Sequence, residues 1–314
     1  RKLISINNFS YNSIDLISNL GLKNNFGINI KNLNSVGKKS SKYKSSIQSE
    51  LVSLYNFDVS MPLKKDNQRS KNYLTPKLSL RLNPHDMKNY SNLSRNIDAH
   101  NAFAINRLGL SDTLESGRSL TLGLDYSNVQ KYNLNEINNH FGLKLATVIR
   151  DKKEKFVPKK STINRKNSNL FGSVTNKFSK NLSIGYNFSL DNDINTLEYN
   201  DINTTVSINN VVTKFNFIEE NGERGDSNIL ASSISYNLND DNFLSFETRR
   251  NRKLNLTEFY DLVYEYKNDC LTAGIKYKKK YYSDGDLKPT ENLLFTVTLF
   301  PLTTYEHDAK DLLN

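Results

Sequence analysis

From about residue 170 to residue 300 apolar and polar residues alternate in short segments, and clusters of Asn, Asp, Gly, Ser and Lys separate the segments. A period of two belongs to the β-strand, whose successive side chains point to opposite faces, and the polar clusters are turn formers, so the pattern predicts consecutive hairpins. Leu182, Ile184, Tyr186, Phe188 and Leu190 make one wholly apolar face, while Ser183, Gly185, Asn187 and Ser189 make a small, mostly polar one. The split recurs in Leu78, Leu80 and Leu82 against Ser79, Arg81 and Asn83, and in Leu120, Leu122, Leu124 and Tyr126 against Thr121, Gly123 and Asp125. Near the end Leu271, Ala273, Ile275 and Tyr277 oppose Thr272, Gly274, Lys276 and Lys278, and Phe295, Val297 and Leu299 oppose Thr296 and Thr298. Turn signals stand at Asn221-Gly222 with Arg224-Gly225-Asp226, at Asn239-Asp240-Asp241 and at Ser283-Asp284-Gly285-Asp286.

Two architectures use such alternation: a soluble sandwich, and a barrel that crosses a membrane. Two features favour the membrane. The candidate inward positions are rich in Gly, Ser, Asn and Lys, and aromatic pairs fall near strand ends, as in Tyr55 with Phe57, Tyr186 with Phe188 and Tyr281 with Tyr282, where they suit interfacial girdles. The mean hydropathy of −0.62 is no objection, because a barrel strand shows lipid only every second residue. No run approaches the roughly 20 apolar residues of a transmembrane helix. The expectation is therefore an all-β, antiparallel transmembrane β-barrel, with roughly 14 to 16 strands of about 10 residues in this chain. The polar stretches 37–44, 64–72, 85–96 and 151–168 read as loops facing water. The last also reads as an interdomain linker, but alternation on both sides of it favours one continuous barrel. The tail after Tyr305 is the only short stretch with helical character.

A net charge of +10 suits an anionic partner, whether nucleic acid, anionic lipid or lipopolysaccharide phosphate. The basic residues are spread along the chain without a compact patch or a nucleic-acid-binding motif, which argues against nucleic acid. Catalysis finds little to work with. His85, His100, His140 and His307 lie far apart, and there is no HExxH, CxxC, GxSxG, P-loop or GxGxxG, so no catalytic, metal or cofactor site is assigned and no cofactor is expected. Asp284 and Asp286 read as a turn, since the other ligands of a calcium loop are missing. Arg224-Gly225-Asp226 reads as a loop tripeptide without function. Cys270 is the single cysteine, so no disulfide closes within the chain.

A family resemblance rests on two stretches. Leu74-Thr75-Pro76-Lys77, then Asn101 to Asp112, then Glu115-Ser116-Gly117-Arg118 and Gly123-Leu124, resembles the barrel of the lipopolysaccharide-assembly family LptD. There a Pro-containing strand precedes an Asn-Leu-Phe, an Arg, an Asp and a Glu-x-Gly that leads into the next strand; Ala102 stands where the family usually has Leu. Tyr264 to Leu271, with Asp284 to Pro289 and the closing strand, is similar to the C-terminal end of the same family.

The resemblance implies a non-enzymatic component that receives lipopolysaccharide from the periplasm and releases it into the outer leaflet of the bacterial outer membrane through a laterally opening barrel. Residues 1–314 would be the C-terminal part of that barrel, a piece lacking the family's N-terminal periplasmic domain. It further implies an LptE-like lipoprotein plug, periplasmic Lpt bridge components and outer-membrane lipid as partners. Cys270 would be the barrel half of a disulfide to the absent domain, with Asp269 where some members have a second cysteine. Leu293, Phe295, Val297 and Leu299 would lie on one side of the lateral opening. Arg81, Lys276 and Lys278 are candidate lumen contacts for lipid A phosphates. Two other readings stay open: a general outer-membrane porin or channel, and a soluble all-β binding module.

Overall fold

The computed structural model describes residues 2–38, 44–133, 136–281 and 289–309. Among them the chain forms 18 strands and one 3-10 turn, Lys159–Ser161, so the fold is the all-β antiparallel one that the alternation predicts. It divides into two compact units. Arg1–Thr175, Asn187–Tyr199 and Asn221–Gly225 make the first, and Asn176–Tyr186, Asn200–Glu220 and Asp226–Asn314 the second.

The first unit is built on β1 (Lys2–Asn12), β2 (Leu16–Ile17), β3 (Lys23–Gly37), β4 (Gln48–Ser60), β5 (Leu63–Asp66), β6 (Ser70–Asn83), β7 (Gly117–Asn133), β8 (Glu136–Arg150) and β9 (Leu170–Lys177). Antiparallel ladders join β1 to β3, β3 to β4, β4 to β6, β6 to β7 and β7 to β8. Register then sorts residues into rows across the strands. Phe57, Leu80, Leu120 and Ile149 are aligned in one row, and Asn56, Arg81, Ser119 and Arg150 in the next. Because side chains alternate, the first row lies on one face and the second on the other. The apolar face is bare, with Phe57, Leu80 and Ile149 exposed.

The polar face is covered by the chain itself. Segments 84–116 and 151–169 fold back over it, and Met87, Ile97, Ala99, Ala102, Leu108, Leu110, Val157 and Ile163 from these segments pack on Ala146 and Val148 of β8 and Phe171 of β9. A smaller cluster sets Leu114 on Val52 and Leu54 of β4. Stretches 85–96 and 151–168 are loops, as expected, but they do not simply face water: Met87, Val157, Ser161, Thr162, Ile163 and Ser168 are buried. Their few apolar residues help to shield the polar face, and burying a large one contributes roughly 1.5–3 kcal/mol.

The second unit contains most of β10 (Leu182–Leu190) and β11 (Leu197–Ile208), then β12 (Val211–Glu220), β13 (Ser227–Asn237), β14 (Asn242–Asn251), β15 (Leu256–Lys267), β16 (Leu271–Lys280), β17 (Thr290–Leu299) and β18 (Thr303–Asp308). From β12 onward each strand pairs antiparallel with the next. Ile234, Phe246, Leu262, Tyr277 and Leu293 align as an apolar row, and Ser233, Glu247, Asp261, Lys278 and Asn292 as a polar row on the other face. The Asn239-Asp240-Asp241 turn closes as expected, the Asn239 side-chain oxygen accepting from the backbone N–H of Asp241 (3.1 Å) and Asn242 (2.8 Å).

Three sequence expectations need correction. Stretch 64–72 is a hairpin, with β5 paired to β6 around a turn closed by Asn67 N–H on the Ser70 carbonyl at 2.8 Å. The tail from Tyr305 to Asp308 is strand, held by β17, because pairing partners override a weak local preference. The strand count is 18 rather than 14 to 16 among the described residues, the excess coming from short elements such as β2, β5 and β18. The turn at Asp284 and Asp286, Tyr282, and residues 39–43 of the first polar stretch lie outside the described residues.

Candidate functional site

Segment 84–116 contains no helix or strand, yet much of it is buried, so its backbone carbonyls need donors from elsewhere. The strands supply them as side chains. Lys31 of β3 donates its Nζ to the carbonyls of Leu110 (3.3 Å), Ser111 (2.7 Å) and Thr113 (3.3 Å). Asn83 of β6 reaches the carbonyls of Leu114 (3.4 Å) and Glu115 (3.0 Å). Arg81, two residues earlier and therefore on the same face, donates to the carbonyls of Ala104 (2.7 Å) and Ile105.

A charged centre lies beneath these anchors. Arg107 donates to both carboxylate oxygens of Glu115, at 2.7 and 2.5 Å, and also to Thr121 Oγ1 (2.9 Å), Ser119 Oγ (3.0 Å) and the Ala102 carbonyl (3.2 Å). Arg150, at the end of β8, donates to Glu115, to the Ser116 carbonyl (2.9 Å) and to the Ile163 carbonyl (2.5 Å), and so ties both covering segments to one strand. Burial alone would raise the Glu115 carboxyl, but the guanidinium groups of Arg107, Arg150 and Arg81 outweigh it and hold the group well below the ordinary carboxylate range. Gly117 follows with φ +84°, a left-handed conformation that favours glycine, and there the segment turns back into β7.

Arg224 is the largest fully buried side chain. Its guanidinium donates to the Ile97 carbonyl at 2.8 Å and lies 5.8 Å from the Phe171 ring centre and 5.1 Å from that of Tyr199. Read as part of a loop tripeptide without function, it instead pins segment 84–116 from outside. No local signal in the sequence marks that role.

In the second unit Asp261 of β15 receives Lys276 at 3.2 Å and Lys278 at 3.3 Å, both from β16, and Lys278 also lies 5.5 Å over the Phe259 ring. The structure thus brings Lys276 and Lys278 together on the polar face, half exposed, while Arg81 is engaged in the first unit. Leu293, Phe295, Val297 and Leu299 share the apolar face of β17, which is paired on both sides, by β16 and β18. Cys270 is exposed in the β15–β16 turn, its backbone N–H donating to Asn268 Oδ1 at 3.0 Å. Lys31, Arg107, Glu115 and Arg150 were not singled out as site residues from the sequence; Arg107 and Glu115 do fall within the stretch that carries the family resemblance.

The model of a family described as LptD, LPS transport system D, matches residues 28–241, more than half of the chain. No curated protein matches. Among solved structures, a mutant of the Rhodopseudomonas blastica porin aligns at 12% identity over 95% of this chain and 90% of that one, with a TM-score of 0.36. A triple mutant of the same porin aligns at 11% identity over 97% and 93%, also at 0.36. Likeness at that level says nothing about pore or substrate. The family match is what assigns this antiparallel, two-faced chain to lipopolysaccharide transport at the outer membrane: the chain belongs to the LptD family.

Proposed function

We propose that this chain is the C-terminal barrel portion of an outer-membrane lipopolysaccharide translocon, joined in the full protein to an N-terminal periplasmic domain. It delivers lipopolysaccharide to the outer leaflet through a lateral opening beside the C-terminal strands, where β17, with Leu293, Phe295, Val297 and Leu299, stands one strand in, behind β18. The observation that carries the reading is the family match over residues 28–241, laid on strands such as β4, β6, β7 and β8 with one apolar and one polar face. The apolar rows suit lipid, and the polar rows suit a water-filled interior. There Lys276 and Lys278 meet lipid A phosphates as they pass, exchanging their contact with Asp261 for a phosphate oxygen. An LptE-like lipoprotein occupies the interior, periplasmic Lpt bridge components deliver the substrate, and Cys270 forms a disulfide with the periplasmic domain.

A photo-crosslinking amino acid placed at Lys276 or Lys278 of the full-length protein in cells tests the route. The expected result is an ultraviolet-dependent adduct recognised by anti-lipopolysaccharide antibody that disappears when delivery of lipopolysaccharide from the periplasm is blocked, whereas an adduct at Tyr277, on the lipid-facing side, persists. Adducts at Lys276 and Lys278 that persist when delivery is blocked, or no adduct at either, would sink the route.

A further inference from the structure

We propose that the bare face of the first unit holds a phosphate-bearing lipid of the outer leaflet, its acyl chains in a hollow between strands and its phosphate on Arg118. This is a site on the lipid-facing wall, and it rests on the outer-membrane placement alone, not on the transport route.

Tyr55, Phe57, Leu80, Leu82, Leu120 and Ile149 line a hollow of about 670 Å³. Tyr55 and Leu82 are aligned across β4 and β6, and Phe57, Leu80, Leu120 and Ile149 across β4, β6, β7 and β8, so one continuous apolar surface floors it. The volume falls within the roughly 300–1,000 Å³ usual for small-ligand sites. Arg81 and Arg150 also border the hollow, but their charged heads are spent on the covered face, on loop carbonyls and on Glu115.

Arg118 differs. It is aligned with Leu82, two residues before Leu120, and so belongs to the apolar face; it is exposed, and among the described residues its side chain makes no hydrogen bond or ion pair. Ser119 is aligned with Arg150, which brings Asp151, the one acid bordering the hollow, next to Arg118, yet no ion pair joins them. A guanidinium standing on a lipid-facing surface without a partner matches a phosphate, which it can bind with two parallel hydrogen bonds.

The position within the membrane follows from the connections. The long ones, 84–116 and 151–169, leave one end of these strands, and the short turn at 67–69 leaves the other. Outer-membrane barrels carry their longer loops outside the cell and their short turns in the periplasm. Arg118 is the second residue of β7, directly after the longest connection, so it lies at the level of the outer-leaflet headgroups, and the hollow opens below it toward the acyl chains.

The test is native mass spectrometry of the purified full-length protein, titrated in detergent with phosphatidylglycerol and with diacylglycerol of the same acyl chains, which lacks the phosphate. The wild type should retain phosphatidylglycerol better. Arg118→Gln should lower that retention about tenfold, the loss of one charge-assisted contact, and leave diacylglycerol unchanged. Unchanged diacylglycerol retention shows that the variant is folded; should Arg118→Gln lose both lipids, Arg118→Lys, which keeps the charge, must keep the preference. Arg69→Gln, an exposed cation at the short-turn end, should change nothing, and inorganic phosphate alone should not displace the lipid. The proposal is overturned by equal phosphatidylglycerol retention in Arg118→Gln, by an equal loss in Arg69→Gln, by loss of the preference in Arg118→Lys, or by displacement with inorganic phosphate.

Discussion

Arg107 and Glu115 face each other as a two-pronged ion pair, two hydrogen bonds of 2.7 and 2.5 Å in a setting where Arg107 has a fully buried side chain and Glu115 is 7% exposed. The carboxylate pairs with Arg150 as well, and Arg81 stands near it, while Asp58 and Glu154 act on the cluster from its edges. Replacing it with glutamine leaves three guanidinium groups facing a neutral amide. Glu115→Gln should therefore destabilise the fold by roughly 3–5 kcal/mol, the cost of breaking a buried pair from one side. A denaturant titration in detergent micelles reads the change, and a loss under 1 kcal/mol would remove Glu115 from its central place.

The same carboxylate sets a pH dependence. Its folded-state titration is depressed below the ordinary value of 4.5, so its contribution to stability is complete above that value and is lost as pH falls through the depressed folded value. Wild-type stability should fall on acidification below about pH 4.5 more steeply than that of Glu115→Gln, whose curve lacks this component. Parallel curves for the two proteins would contradict the assignment.

Gly123 of β7 lies under the ring of Phe103, where an added Cβ would stand 2.5 Å from ring carbon Cε2 and 3.0 Å from the Leu145 carbonyl oxygen. Gly123→Ala should cost about 1–3 kcal/mol by overpacking. Removing the ring first should relieve most of that cost, so a double-mutant cycle with Phe103→Ala should give clear coupling. Additive effects would mean that Phe103 does not rest on the strand.

Arg224 should be replaceable neither by alanine nor by lysine, since lysine lacks the flat group that lies near the rings of Phe171 and Tyr199 while reaching the Ile97 carbonyl. Either variant should loosen segment 84–116, seen as faster hydrogen exchange around Ile97 with strand protection in β14 to β17 unchanged. Uniform loss of protection across the chain would instead make Arg224 a general stability residue.

The strands were legible because their chemistry is local. In β6 every second residue from Leu78 to Leu82 is leucine, and a reader needs nothing else to assign the two faces. Segments 84–116 and 151–169 were legible only as breaks in the pattern. Their anchors, such as Met87, Ile97, Val157 and Ile163, are isolated among polar residues, and what buries them is a sheet assembled from distant parts of the chain. Arg81 shows the same limit. Alternation places it on the polar face, but no local rule says that its guanidinium goes to Ala104 and Ile105. Arg224 lies 127 residues from the carbonyl it holds, and periodicity carries no information over that distance.

The capture of segment 84–116 by side chains from β3, β6 and β8 also makes the segment a gauge of strand alignment. Slipping β6 by one residue would turn Arg81 and Asn83 toward lipid and bring Leu80 and Leu82 beneath the carbonyls of Ala104, Ile105, Leu114 and Glu115, which would then have no donors. Misthreaded sheets would thus be left with an undocked, protease-sensitive segment, and only a correctly threaded one could bury it.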